Sequence, residues 1–234
     1  MIDLHCHILP GVDDGSPDLQ TSLRMAQMAV DDGVSHIVAT PHVKHEGVDD
    51  MDLARQVAQL NGQLLLHGIP LTVLTGGDVV AALPPQLAGR FTINNTPYIL
   101  LEFPHSHLPA EAEKTLFEWQ AAGLRPIITH PERNPTILRN PDRLRHLVEV
   151  GALVQVTAGS LTGEFGQACR ACAIYLLEAG LVHFLASDGH SSEFRKPLLS
   201  HGQQLAAGII GEGPARALVT TNPEAVIFGK DFHV

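Results

Sequence analysis

The chain has 234 residues, 44% apolar and only 5% aromatic, enough for one α/β barrel domain or two small domains, with a core of Leu, Val, Ile and Ala. A formal charge of −10 argues against nucleic acid, whose phosphates need a basic face, and no apolar run approaches the ~18 residues that span a membrane. Three cysteines suggest no disulfide framework, and no signal-type segment precedes the first strand, so the chain reads as cytoplasmic.

The first strand-like run, Met-Ile-Asp-Leu-His-Cys-His, ends in His5 and His7, and Asp14 follows in the next loop. Ser16 and Pro17 mark the start of a helix in which Leu19, Leu23, Ala26 and Val30 recur every three or four residues. Gly33 ends that helix, and the run that follows closes on Thr40-Pro41-His42. Leu71-Thr72-Val73-Leu74 leads to Gly76-Gly77-Asp78, and Tyr98-Ile99-Leu100-Leu101 leads to Glu102. Pro126-Ile127-Ile128-Thr129 leads to His130, and Phe184-Leu185-Ala186-Ser187 to Asp188 and His190.

A helical pattern ends at glycine, with an apolar strand within three residues, at Gly33, Gly123, Gly151 and Gly180. Glycine there supplies the left-handed residue past a helix end, and continuous apolar runs suit parallel strands buried on both faces. Strand ends fall near residues 5, 40, 75, 102, 130, 157 and 187, which predicts a single domain over 1–234, a seven-stranded (β/α)7 barrel. A doubly wound open sheet is the alternative, but its ligands would gather at one switch point.

Nine residues of metal-ligand type thus stand out, nearly all of them where apolar runs stop: His5, His7, Asp14, His42, Asp78, Glu102, His130, Asp188 and His190. Barrel enzymes build their sites at the C-terminal ends of strands, so we expect a metal centre there. His5 and His7, two apart on a strand, share a face. A lone histidine is more often surface or satisfied core, the reading for His36, His67, His146, His183, His201 and His233. Imidazole and carboxylate without thiolate suit Mn²⁺, Fe²⁺, Co²⁺ or Zn²⁺. Alternation turns Cys6 to the opposite face, and Cys169 and Cys172 lie within a helical pattern from Gln167 to Glu178, so all three read as packing.

Met1 to Gly15, together with Thr40-Pro41-His42, Leu101-Glu102-Phe103, His130-Pro131-Glu132-Arg133 and Ala186-Ser187-Asp188-Gly189-His190, resembles the polymerase-and-histidinol-phosphatase (PHP) superfamily. The likeness runs to about residue 230 and is greatest to the bacterial metal-dependent protein-tyrosine phosphatases encoded with capsule and exopolysaccharide genes (the CpsB/YwqE type). It implies a distorted seven-stranded TIM-like barrel and a trinuclear centre, with Mn the favoured metal. His5, His7 and Asp188 would hold one ion, Glu102 and His130 a second with Asp78 bridging, and Asp14, His42 and His190 a third. Three divalent ions would bring the charge to about −4. Relatives usually carry glutamate where this chain has Asp78, about 1.5 Å longer in reach; the adjacent glycines permit the backbone to come closer.

Arg133 and Arg195 follow ligands at the mouth, and both match arginines that the resemblance implies contact substrate phosphate, through the bidentate fork of guanidinium. Lys44, His45, His105 and His107 are weaker rim candidates. No cysteine has arginine six residues on, where Val12, Tyr175 and Glu178 stand instead, so a thiolate phosphatase loop is missing. No Gly-x-x-x-x-Gly-Lys-Ser/Thr loop is present. The reading is hydrolysis of protein phosphotyrosine, on a tyrosine kinase's tail, by metal-activated water. A histidinol phosphatase or other small-molecule phosphoesterase, and a non-enzymatic metal-binding domain, are the alternatives; the general acid and the oligomeric state stay open.

Overall fold

A computed structural model describes residues 1–44 and 50–231. The elements follow the chain as β1 (Ile2–Cys6), α1 (Leu19–Asp31), β2 (His36–Ala39), β3 (His42–Val43), α2 (Asp50–Leu66), β4 (Thr72–Thr75), β5 (Asp78–Val80) and α3 (Pro85–Ala88). Next come β6 (Tyr98–Glu102), α4 (Ala112–Ala121), β7 (Arg125–Thr129), α5 (Pro135–Arg139), α6 (Asp142–Glu149), β8 (Leu153–Thr157), α7 (Ala158–Thr162), α8 (Gln167–Glu178), β9 (Phe184–Ala186), α9 (Ser200–Ile210), α10 (Glu212–Ala217) and α11 (Thr221–Ile227). Every strand pairing is parallel, in the orders β1-β2-β4 and β3-β5-β6-β7-β8-β9.

The seven expected runs are therefore nine strands in two sheets. Two runs are interrupted: the second at Thr40-Pro41, between β2 and β3, and the third at Gly76-Gly77, between β4 and β5. Pro41 has no N–H for a ladder. At the glycines neighbouring side chains leave no room for another: a Cβ on Gly76 would lie 2.6 Å from Val38 Cγ1, and one on Gly77 2.9 Å from Val43 Cγ2. Following the interrupted runs through, neighbours succeed one another from β1 round to β9. An isolated parallel bridge, Cys6 to Gly189, brings the last segment back to the first.

All four helix-ending glycines take positive φ, between 68° and 98°. The first helix starts later than Ser16 and Pro17 suggest. Asp18 is its N-cap, with Oδ1 accepting the Thr21 N–H at 2.7 Å, while Ser16 is buried and bonded to Ser22. An aspartate free to accept from the first turn is the stronger cap.

The packing explains where polar groups end up. A smaller apolar cluster joins Ile2, Leu4, Val38, Leu100, Ile127, Leu153 and Phe184 with Val226 and Ile227 of α11. Two residues further along the same faces stand Glu102, Thr129 and Gln155. The face shared by these strands is thus apolar at their N-terminal ends and polar at their C-terminal ends. In β1 the register shifts between Asp3 and Cys6. Ile2 and Leu4 accordingly join the smaller cluster, whereas Cys6 joins the larger one, among the side chains under the helices. A bulge exchanges the two faces of a strand, and here it delivers His5 and His7 to the polar end.

Candidate metal centre

All nine expected ligands converge. His5, His7, Asp78, Glu102, His130, Asp188 and His190 are buried, His42 is partly so, and the Asp14 carboxylate is exposed. Four groups bring one donor atom each within 4.8 Å of one another: His5, His7 and Asp188; His5, Asp78 and His130; His42, Asp78 and Glu102; and His7, Asp14, His42 and His190. The first matches the expected set. The others differ from it: His7 joins the Asp14 group, His5 joins Asp78 and His130, and His42 faces Glu102. Asp78 is not one-sided. Its Oδ2 lies 3.4 Å from His42 Nδ1, 3.7 Å from His5 Nε2 and 4.0 Å from His130 Nε2. Side chains of β2 and β3 leave no room for a Cβ at Gly76 and Gly77, which precede Asp78.

Hydrogen bonds outside the cluster aim the rings. His5 Nδ1 lies 2.9 Å from Gln155 Oε1, His7 Nδ1 2.6 Å from Asp13 Oδ2, and His190 Nδ1 2.8 Å from the Asp188 carbonyl. Each such bond calls for a proton on Nδ1, so that in the neutral ring the Nε2 lone pair faces inward. As a result His5 Nε2 and His7 Nε2 stand 3.2 Å apart. Asp188 Oδ1 is 3.4 Å from both. Four buried atoms of the set, His42 Nδ1, Asp78 Oδ2, Glu102 Oε1 and His190 Nε2, make no well-aligned hydrogen bond among the described residues, although ion-pair contacts reach the first three. Orphaned lone pairs at this density cost free energy unless something binds them, and a cation is what imidazole and carboxylate accept. The donor set fits divalent metal.

The charges tell the same story. Burial holds His5 below the ordinary histidine value, burial and the Arg133 guanidinium hold His130 well below it, and burial and the His7 charge push His190 to about 3. Burial would also lower His7 and His42, but hydrogen bonds to Asp13 and Asp188 lift His7 to about 9, and the Asp78 and Glu102 carboxylates beside it lift His42 to about 10. Asp188, despite burial, lies well below the carboxylate range beside His5, His7 and Arg133. Without metal, two imidazoliums offset part of the carboxylate charge. Metal uptake would release those protons.

Backbone strain gathers here too. His130, Asp188 and Arg195 take φ of 37°, 51° and 49°, a left-handed region unusual for such residues and recurrent at functional sites. Arg133 Nη2 and Arg195 Nη2 each lie 2.5 Å from Asp188 Oδ2, so Asp188 divides its oxygens between histidines and arginines. Among the described residues, the buried Nε of each arginine finds no partner.

The rim candidates separate. His105 Nε2 is 3.1 Å from Glu102 Oε1, with its ring stacked on His130 at 5.7 Å; Lys44 shares a surface cleft with Glu102 and His105. His107 is exposed and bonded to Ser106, and His45 and His233 lie outside the described residues. His183 is buried and accepts the Val154 N–H, a core role. Sequence reasoning missed Asp13, Gln155 and Glu132. Asp13 is half of an Asp-Asp-Gly doublet that could have flagged it. Glu132, fully buried, accepts from Ser160 Oγ and the Thr157 N–H.

The chain is similar over most of its length to known proteins. The chain is 46% identical over 202 residues to the tyrosine-protein phosphatase YwqE of Bacillus subtilis, covering 83% of this chain and 79% of that one. It is 34% identical over 200 residues to the putative tyrosine-protein phosphatase CapC of Staphylococcus aureus, covering 82% and 77%. A solved structure from a study of YwqE from Bacillus subtilis and CpsB from Streptococcus pneumoniae, described as unique metal-dependent tyrosine phosphatases, superposes with a TM-score of 0.94. It is 39% identical, covering 100% of this chain and 96% of that one. The lactonase Lmo2620 of Listeria monocytogenes, 13% identical, shares the fold at a TM-score of 0.60, covering 98% and 95%. Residues 1–228 match the model of the capsular polysaccharide synthesis family CpsB/CapC, and the chain belongs to that family.

Proposed function

We propose that residues 1–234 form one metallophosphatase domain that hydrolyses phosphotyrosine in protein, its substrate the tail of a bacterial tyrosine kinase of capsule or exopolysaccharide synthesis. One observation carries this reading: two arginines with unpaired buried Nε atoms stand over the same carboxylate that faces the histidine cluster. The names of the relatives supply the substrate class. Three divalent ions, Mn²⁺ foremost, would be held by His5, His7 and Asp188; by Asp78, Glu102 and His130; and by Asp14, His42 and His190. Bound divalent ions supply Lewis acidity and lower the pKa of water. The chain's own part is to bind and orient. Arg133 and Arg195 present planar donors to the equatorial phosphoryl oxygens. Asp13, Gln155 and the Asp188 carbonyl keep His7, His5 and His190 in the tautomer that faces inward. The cysteines offer no competing nucleophile, since burial raises the Cys6 and Cys172 thiols, Cys172 to about 12.

All three cysteines are unpaired, which suits a reducing cytoplasm. Among the described residues no helix is long and apolar enough to cross a membrane. Turnover of a phosphotyrosyl peptide should exceed that of histidinol phosphate and of a phosphoserine peptide, with Mn²⁺ added after chelation. Faster turnover of histidinol phosphate would replace this reading with that of a small-molecule phosphoesterase.

A further inference from the structure

One side chain outside the ligand set touches both arginines. The Arg133 guanidinium carbon lies 4.6 Å from the centroid of the Phe165 ring, and that of Arg195 lies 5.8 Å from the same centroid. The arginines arrive from different places: Arg133 from the short 3₁₀ turn after β7, Arg195 from the loop after β9. Phe165 belongs to neither. It sits in the turn between α7 and α8, bounded by Gly163 and Gly166 at φ of 92° and 87°. The turn is pinned back on α7 by the Glu164 N–H bond to the Gly159 carbonyl at 3.0 Å. Its seat is tight, for a Cβ on Gly159 would lie 3.2 Å from Phe165 Cε2. Each guanidinium is thus held at two points, by Nη2 on Asp188 Oδ2 and by its cationic carbon near one phenyl ring, while its Nε stays unpaired.

We propose that Phe165 is a positioning residue that makes Arg133 and Arg195 act as one clamp on the substrate's phosphoryl group. Long arginine side chains lose rotamer freedom when they grip an anion. An aromatic face beneath both removes that freedom beforehand, and its quadrupole favours the cations. When phosphate draws donors away from Asp188, the ring is the hold that remains. This inference rests on the arginines' role in phosphate binding proposed above.

The test uses the full chain reloaded with Mn²⁺ and two readouts: calorimetric affinity for inorganic phosphate, and kcat/KM on a phosphotyrosyl peptide. Two cation–aromatic contacts predict that Phe165→Leu weakens phosphate about 5- to 30-fold and raises KM in step, with metal content unchanged. Phe165→Tyr, which keeps the aromatic face, should stay within about two-fold of the parent. In an Arg133→Ala, Arg195→Ala background, Phe165→Leu should change phosphate affinity less than about two-fold, since nothing is left to position. Parent-like phosphate affinity in Phe165→Leu, an undiminished effect in the arginine-free background, or loss of metal in Phe165→Leu would each overturn the proposal. Absence of phosphotyrosine turnover in the parent, with phosphate affinity still dependent on Phe165, would refute the substrate and spare the clamp.

Discussion

Asp13 Oδ2 stands 2.6 Å from His7 Nδ1 and, through the same atom, accepts the backbone N–H of His42 at 3.0 Å. One carboxylate that is itself outside every ligand group therefore orients one candidate ligand and anchors the strand that carries another. Burial would raise its pKa, but the bonds to His7, Gly15 and His42 hold it well below the usual carboxylate range. Removing such an outer partner commonly costs ten- to a hundred-fold in metal affinity. Asp13→Asn should weaken Mn²⁺ binding by roughly that factor in competition with a chelator, at little cost in fold. Unchanged affinity would mean that His7 is oriented by packing alone.

Activity should depend on bound ions. Exhaustive chelation should abolish phosphotyrosine hydrolysis, and Mn²⁺ should restore it. Chelation should also lower the melting temperature, because an ion bound by the folded chain alone stabilises it. Full turnover in a preparation that elemental analysis finds metal-free would end the metal hypothesis.

The arginines should separate binding from metal content. Arg133→Ala or Arg195→Ala should lower kcat/KM about ten- to a hundred-fold, the ~1.5–3 kcal/mol of a charge-assisted bond to phosphate. Elemental analysis of each variant should match the parent. Metal lost in parallel with activity would show that these side chains support Asp188 instead of the substrate.

Cys6→Ser tests the nucleophile. Cys6 is fully buried, with Sγ 3.5 Å from the Gly189 carbonyl, and lacks an arginine six residues on. The variant should keep substantial turnover. A buried hydroxyl without a partner costs ~1–3 kcal/mol, and the Gly189 carbonyl is placed to offset part of that. A phosphocysteine trapped on Cys6 would overturn attack by water.

His183 gives a pH signature away from the centre. Its Nδ1 accepts the Val154 N–H at 3.0 Å, and burial pushes its pKa down to about 4. Between about pH 6.5 and 4 the unfolded chain takes up a proton that the folded chain refuses. Its contribution is thus complete above about 6.5 and is lost as pH falls toward 4, at about 1.4 kcal/mol per unit. Denaturant midpoints measured from pH 7 to 4 should fall less steeply for His183→Gln than for the parent. Identical slopes would show that His183 does not titrate in this way.

All the candidate ligands except Asp14, which lies in a loop, were legible in the sequence because an apolar run that stops at histidine, aspartate or glutamate is a local signal. The same holds for the glycines that end helices and for the alternation that sends Cys6 away from His5 and His7. Tertiary structure alone decided the rest. The pairing of His5 with Gln155 spans 150 residues, and the meeting of Arg133, Arg195 and Asp188 beside Phe165 needs the β7, β9 and α7–α8 loops to be neighbours. The grouping of the ligands likewise follows from which strands lie side by side, and the break at Gly76-Gly77 falls where Val38 and Val43 leave no room for a Cβ. Periodicity specifies which face a residue takes and where an element stops. Which faces meet is fixed only when the strands come round and β9 lies beside β1.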